Sequence, residues 1–289
     1  MSGAAEALRY FAPSPTLARH VNLIFLWTGT SAAFADWMPA IEGQIAIRLR
    51  GDGRFRFADG LQLTPAPMAL IGPLTGSIHM TVSTNFRSVG AGLTALGWQA
   101  LAGLPAAVAC DAILDLAGIW GDGPARTAHD RLLHAGTGDA VAATLDALLV
   151  ERLVHAPMRI DARGAAIDRW IATDPALSIA ALGDRLDISA RQLARLTMAT
   201  HGMSPKLLAM KHRALRAATQ LATAPPRRIA EATFGYADQS HMIRDFRRFI
   251  GATPRTFLER EVARHVFEEP ERVGASLSRA RFYDGPEPR

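Results

Sequence analysis

The stretch from Gly235 to Pro254 constrains this chain more than any other. Asp238 reads as a helix N-cap, and the apolar spacing after it predicts a helix over 239–250, stopped by Gly251 and Pro254. Met242, Ile243, Phe246, Phe249 and Ile250 then share one face. The opposite face carries Ser240, His241, Arg244 and Arg248, with Arg247 on its flank. A short helix with a buried seam and a basic, hydrogen-bonding outer stripe fits the DNA major groove, where Arg pairs with guanine and Gln with adenine. Taken alone, the pattern equally describes a surface helix with a solvated face.

A second segment repeats the design. From Ser189 to Gly202, Leu193, Leu196 and Thr200 form an inner seam while Arg191 and Arg195 project outward four residues apart. Ser178 caps a short preceding helix with Ile179, Leu182 and Leu186 on one side, so the two make a helix-turn-helix. Ser204-Pro205 then opens a longer helix through Leu207, Leu208, Leu215 and Leu221. About eighteen residues at ~1.5 Å each give a rod of roughly 27 Å. Such a rod sets two reading helices near the ~34 Å repeat of B-DNA.

On Leu193-Ala-Arg-Leu196, His201-Gly-Met-Ser-Pro205, Gly235-Tyr-Ala-Asp-Gln-Ser-His241 and Phe246-Arg-Arg-Phe-Ile-Gly-Ala-Thr-Pro254, the chain resembles the AraC/XylS family of bacterial transcription regulators. The resemblance covers about residues 165–262 and implies two helix-turn-helix units joined by a long helix, each placing one helix in the major groove. It implies base-facing roles for Arg191 and Arg195 in the first unit, and for Gln239, Ser240, His241 and Arg244 in the second. Gln192, Lys206, Arg247 and Arg248 are the expected phosphate contacts. Two departures stand out. Thr197-Met198-Ala199 occupy positions where the family usually has a phenylalanine and lysines. The helix before the second reader, counted from Ile229 to Gly235, is short unless it starts at Arg227.

Charge supports a nucleic-acid partner. Thr173–Arg264 holds 15 Lys+Arg against 8 Asp+Glu, a balance of +7 within a chain of +5, so the remainder is −2. The single cysteine, Cys110, excludes an internal disulfide, fits a cytoplasmic setting, and reads as a small core residue. The first residues have no basic start and apolar run, so no signal peptide is expected. Pro105, Asp111 and Asp115 interrupt the apolar stretch from Ala91 to Gly121, so no membrane partner is expected.

The N-terminal half reads as β-structure over 10–90. Gln44–Arg50 and Arg54–Phe57 alternate around Gly51-Asp52-Gly53 and predict a hairpin. Val21–Trp27, Met68–Ile71 and Ser77–Ser83 add short strands, giving a small barrel or sandwich. Helices are expected at about 93–102, 106–117 and 139–155, the last a candidate dimer interface or an internal packing element. Tyr10–Pro15, Leu70–Leu74 and Trp120-Gly121 resemble the cupin-like sensor domain of one AraC/XylS subgroup, which implies effector binding, dimerisation, or both. Trp27, Trp37, Phe55, Phe57 and Met80 are candidate lining for an apolar effector pocket, although core packing suits the same residues. His20 and His79 stand on separate segments with no His-x-His pair, so neither metal nor other cofactor is expected. No phosphate loop, serine elbow or paired-cysteine motif occurs, and no catalytic residue is assigned.

The expected fold is therefore α+β. Residues 1–156 form a cupin-like sensor and dimerisation domain, 157–164 a linker, 165–262 an AraC-type DNA-binding domain, and 263–289 a disordered tail. The expected function is a sequence-specific, effector-modulated transcription regulator, not an enzyme, with activation or repression left open. Its partners would be double-stranded DNA, a small-molecule effector, a second copy of the chain, and RNA polymerase. The alternative is a cupin-type enzyme or ligand-binding protein with a degenerate helix-turn-helix domain.

Overall fold

A computed structural model of the chain describes residues 8–29, 32–156, 161–174, 176–223, 235–260 and 266–267. The fold is α+β, with antiparallel sheets first and helices after.

Ten strands build two sheets: β1 (Leu8–Phe11), β2 (Val21–Thr28), β3 (Phe34–Met38), β4 (Gln44–Arg50), β5 (Gly53–Arg56), β6 (Gln62–Leu63), β7 (Met68–Ile71), β8 (Ile78–Val82), β9 (Arg87–Leu93) and β10 (Ile113–Asp115). The larger sheet runs β1-β2-β9-β4-β7-β10 and the smaller β3-β8-β5-β6. Central strands β7 and β9 are buried almost throughout, so they read as apolar or small runs rather than as alternation. At Gly90 a Cβ would sit 2.4 Å from the Ile45 carbonyl oxygen, so only glycine lets β9 and β4 approach so closely.

The expected hairpin over 44–57 does not form. β4 pairs with β7 and β9, whereas β5 pairs with β6 and β8 in the other sheet. Gly51, at φ +72, turns the chain from one sheet to the other. Arg48 secures the corner by donating to the Gly51 carbonyl at 2.8 Å and to Asp52 at 3.0 Å. Alternation had marked which faces are buried, but it does not specify which strand lies alongside.

The helix expected over 93–102 begins later. Thr94 caps α1 (Ala95–Gly97), which passes into a π-helical turn, Trp98–Ala102, ended by Gly103 at φ +69. No helix spans 106–117; a 3₁₀ turn at Ala106–Val108 gives way to β10 and then α2 (Ala117–Trp120). Asp111, at φ +52, breaks the run because its carboxylate accepts from Thr75 N at 2.7 Å and from Thr75 Oγ1. Helix α3 (Asp122–Leu133) was not anticipated: its inward face is only Ala125, Ala128 and Leu132. Helix α4 (Gly138–Leu153) matches the expected 139–155, and its seam of Val141, Leu145, Leu148 and Leu149 is buried in the core beneath the larger sheet. That seam is thereby an internal packing face.

The C-terminal helices are α5 (Arg163–Thr173), α6 (Ile179–Leu186), α7 (Ala190–His201), α8 (Pro205–Thr223), α9 (Gln239–Phe249) and α10 (Pro254–Leu258). One cluster around Ile167, Trp170, Leu182, Leu193, Leu196 and Leu208 holds the first helical unit. Another joins both halves of the chain: Ile41, Phe57, Ile71 and Leu74 pack with Leu215, Leu221, Phe246, Phe249 and Phe257. The expected linker is part helix, since Arg163 and Gly164 open α5 and Gly164 packs on Ala95; residues 157–160 lie outside the described residues. The expected disordered tail is corrected at Val266 and Phe267, where Phe267 is buried edge-on to Phe257 at 5.5 Å. No described helix is long and apolar enough to cross a membrane.

Candidate nucleic-acid interface

The first reader is assembled by its caps. Asp174 accepts from the N–H groups of Ala176, Leu177 and Ser178, and Ser178 Oγ caps α6. Burial raises the Asp174 carboxyl, but those N–H groups more than offset it and hold the group below its ordinary range. Asp187 closes the turn in the left-handed region, and Ser189 opens α7 with a reciprocal capping box to Gln192. Gln192, expected on phosphate, is thereby committed to the cap: its Oε1 accepts from Ser189 N at 2.9 Å. Leu193, Leu196 and Thr200 are buried as the wheel requires. Thr197, standing where the family has phenylalanine, is fully buried and donates to the Ala194 carbonyl, so the seam stays closed with a smaller residue. Arg191 and Arg195 are exposed on the outer face with no intrachain partner among the described residues, and Lys206 is exposed near the start of α8.

Helix α8 spans 19 residues, roughly 28 Å at ~1.5 Å per residue. Arg216 donates to the carbonyls of Asp174 and Ile171, fixing this rod to the end of α5.

The second reader is α9. Asp238 Oδ1 accepts from His241 N at 2.8 Å, and Met242, Phe246 and Phe249 are buried. Each of the two phenylalanines, hidden rather than exposed, is worth about 1.5–3 kcal/mol. Gln239, Ser240, Arg244 and Arg247 are exposed. Two expected contacts are placed otherwise. His241 is half-buried, edge-on to Tyr236 at 5.4 Å, with Nε2 3.6 Å from Asp245 Oδ2. Arg248 Nε donates to the Thr75 carbonyl at 3.1 Å, so it is held by the N-terminal half rather than left free for phosphate. Asp245 is buried, and burial pushes its carboxyl above the ordinary range; the sequence signal was an acid at seam spacing between Met242 and Phe249. The support helix expected near 227–235 lies outside the described residues but for Gly235.

The readers are not isolated from the sheets. Asp168 Oδ2 accepts from Ala95 N at 3.0 Å, while Oδ1 lies 3.1 Å from His201 Nε2. Fully buried Lys211 pairs with Glu42 at 2.8 Å, and His212 Nε2 meets the same carboxylate at 2.7 Å. Burial works against the Glu42 charge, yet Lys211, then His212, overcome it and keep the carboxyl well below its usual range. His212 is pushed down by burial, so it serves as a neutral donor to Glu42. Nothing in the sequence linked residues 42, 211 and 212; that needed the tertiary fold.

Between the sheets lies an apolar cavity of about 160 Å³. Trp27, Trp37, Phe55 and Met80 line it as expected; Phe57 does not, being part of the core shared by both halves. Phe25, Phe34 and Phe86 from the strands and Val266 from the C-terminal end complete the wall. His79 packs edge-on to Trp37 at 5.4 Å. Among the described residues no three His, Cys, Asp or Glu are placed to hold a metal. Half-buried Cys110 has its thiol pushed up to about 11, chiefly by burial.

Capped helices with outward arginines, one after a tight turn and one after a long connecting rod, define a DNA-binding protein of the helix-turn-helix class. Residues 182–260 match the family model described as a helix-turn-helix domain. No curated protein matches the chain by sequence. Among solved structures, ToxT from Vibrio cholerae aligns over 88% of this chain and 98% of its own at 10% identity and a TM-score of 0.46. The AraC-like transcriptional activator CuxR aligns over 71% of this chain and 85% of its own at 13% identity and a TM-score of 0.31. The C-terminal segment is a helix-turn-helix domain of the AraC type, and the chain is a DNA-binding transcriptional regulator.

Proposed function

We propose that α7 and α9 read separate stretches of one operator and that the cavity between the sheets takes an apolar small-molecule effector. Arg191 and Arg195 face bases from α7, and Gln239, Ser240 and Arg244 from α9, with Lys206 and Arg247 on phosphate. The supporting observation is that Arg191, Arg195 and Arg244 stand on exposed faces of side-chain-capped helices without an intrachain partner among the described residues. The domain limits drawn from the sequence, 1–156 for sensing and 165–262 for DNA, belong to this reading. So does a homodimer through the N-terminal half, which would use surfaces other than the buried seam of α4.

Selection of bound fragments from the source genome tests it directly. The full chain should enrich a defined operator, and log affinity should fall against log salt with a slope of roughly −0.9 per phosphate neutralised. A slope near zero, or no enriched sequence, would reject the reading. Sedimentation that shows only monomer with and without the operator would reject the dimer.

A further inference from the structure

Residues 36–42 run between the cavity and the DNA-binding half, and they touch both. Asp36, Trp37 and Ile41 line the cavity. The same segment carries a series of contacts to the C-terminal helices. Asp36 pairs with Arg260 at 3.0 Å. Trp37 lies against Gly251, where an added Cβ would come within 2.5 Å of its Cγ. Ala40 N donates to the Phe249 carbonyl at 2.7 Å. The Ile41 carbonyl accepts from Lys211 Nζ, and Glu42 holds Lys211 and His212. Beside this strap, Ser77 N donates to the Arg248 carbonyl at 2.7 Å, and the Thr75 carbonyl takes Arg248 Nε.

We propose that this strap is a latch: it holds the end of α9 against the sheets, keeps Arg248 from DNA, and passes occupancy of the cavity to the second reader. The coupling rests on the cavity being an effector site; the latch does not. Three features carry it. All the strap contacts converge on the C-terminal end of α9, the segment just beyond it, and the facing part of α8. The cation they restrain lies on the reading helix itself. A cavity ligand that moves Trp37 must also move what Trp37 seats, because packed interiors transmit displacement rather than absorb it. The DNA-competent form is then one in which the strap has released α9 and Arg248 has exchanged a carbonyl for a phosphate.

The test uses the full chain and its selected operator fragment. Asp36→Asn and Glu42→Gln remove latch charges on the sheet side without touching a reader. The double variant should bind at least fivefold more tightly than wild type, with a salt slope steeper by about 0.9, one added phosphate contact. Wild-type affinity and slope in the double variant, or weaker binding, would overturn the latch. Should Glu42→Gln fail to fold, with Lys211 left unpaired, Asp36→Asn alone carries the test, since its partner Arg260 is part-exposed. N-phenyl-1-naphthylamine, a neutral apolar fluorophore, serves as the cavity probe. Bound probe should change operator affinity in wild type and not in the latch variant. An equal change in both would overturn the coupling. A probe that does not bind at all would count against the cavity as a ligand site, while the affinity of the latch variant still decides the latch.

Discussion

Replacing Lys211 by methionine isolates the energetics of the joint between the halves. The side chain is fully buried, pairs with Glu42 at 2.8 Å, and donates to the Ile41 carbonyl. Methionine keeps most of the volume but leaves Glu42 facing the joint without its counter-ion. Breaking a buried pair by removing one partner costs about 3–5 kcal/mol. Here Glu42 keeps 18% side-chain exposure and its bond to His212, so the lower end applies, about 3 kcal/mol. For a chain of this size that corresponds to a melting-point drop of roughly 6–12 °C. Adding Glu42→Gln to Lys211→Met should recover most of the loss, because no uncompensated charge then remains. The pH dependence has a definite sign. In wild type the folded Glu42 carboxyl lies below its unfolded value, so the pair contributes fully at neutral pH and its contribution is lost as pH falls below the ordinary carboxylate range. In Lys211→Met burial favours the protonated acid, so acidification relieves that variant. The stability gap should therefore be widest near pH 7 and narrow below roughly pH 5. Urea unfolding followed by tryptophan fluorescence and far-ultraviolet circular dichroism at both pH values measures it. A gap under about 0.5 kcal/mol, or one that does not change with pH, would refute a buried ion pair at this position.

Arg195→Ala and Arg244→Ala should each cost about 1–3 kcal/mol of operator affinity and relax preference at one base pair, read from binding to a randomised operator. If preference is unchanged for one of them, that helix does not read sequence. Gly251→Ala should destabilise by about 1–3 kcal/mol, since the residue holds a left-handed φ of +78 and its new Cβ meets Trp37. In thermal melts Trp37→Ala should rescue only the steric part of that loss, and full rescue would mean that backbone strain plays no role. Ala46→Phe, placed in the cavity wall, should lower N-phenyl-1-naphthylamine affinity at least tenfold while leaving helix content unchanged; undiminished binding would locate the probe elsewhere.

The reading helices were legible because their information is local. A cap at Asp238 or Ser189, an apolar seam at three- and four-residue spacing, and a glycine stop lie within one short window. Helix α4 was legible for the same reason. The strands were found, but their pairing was not: β4 and β5 look like a hairpin until one knows that Gly51 hands the chain to another sheet. The run 106–117 failed because Asp111 is held by Thr75, thirty-six residues away, and no local pattern carries that bond. The same limit explains the site. Aromatic residues could be nominated for a cavity, and four of five line it, but Phe57 differs from Phe55 only in the face on which it falls. His241 and Arg248 sit on the outer stripe of an isolated helix, and it is Tyr236, Asp245 and Thr75 that engage them in the folded chain.

The hydrophobic cluster that joins Ile41, Ile71 and Leu74 to Phe246 and Phe249 also sets a timetable for birth on the ribosome. Trp37 emerges roughly 200 residues before Phe246, which at ~5–20 residues per second is a wait of about 10–40 s. Throughout that interval the sheet half exists without the helices that cover Ile41 and Leu74, and Glu42 exists without its lysine. The nascent sheets thus present a sticky, acid-bearing flank that nothing on the chain yet shields. A rare-codon pause or a truncated message in the second half of the gene would prolong that exposure, so aggregation of this protein in cells should track the speed of translation as much as the stability of the finished fold.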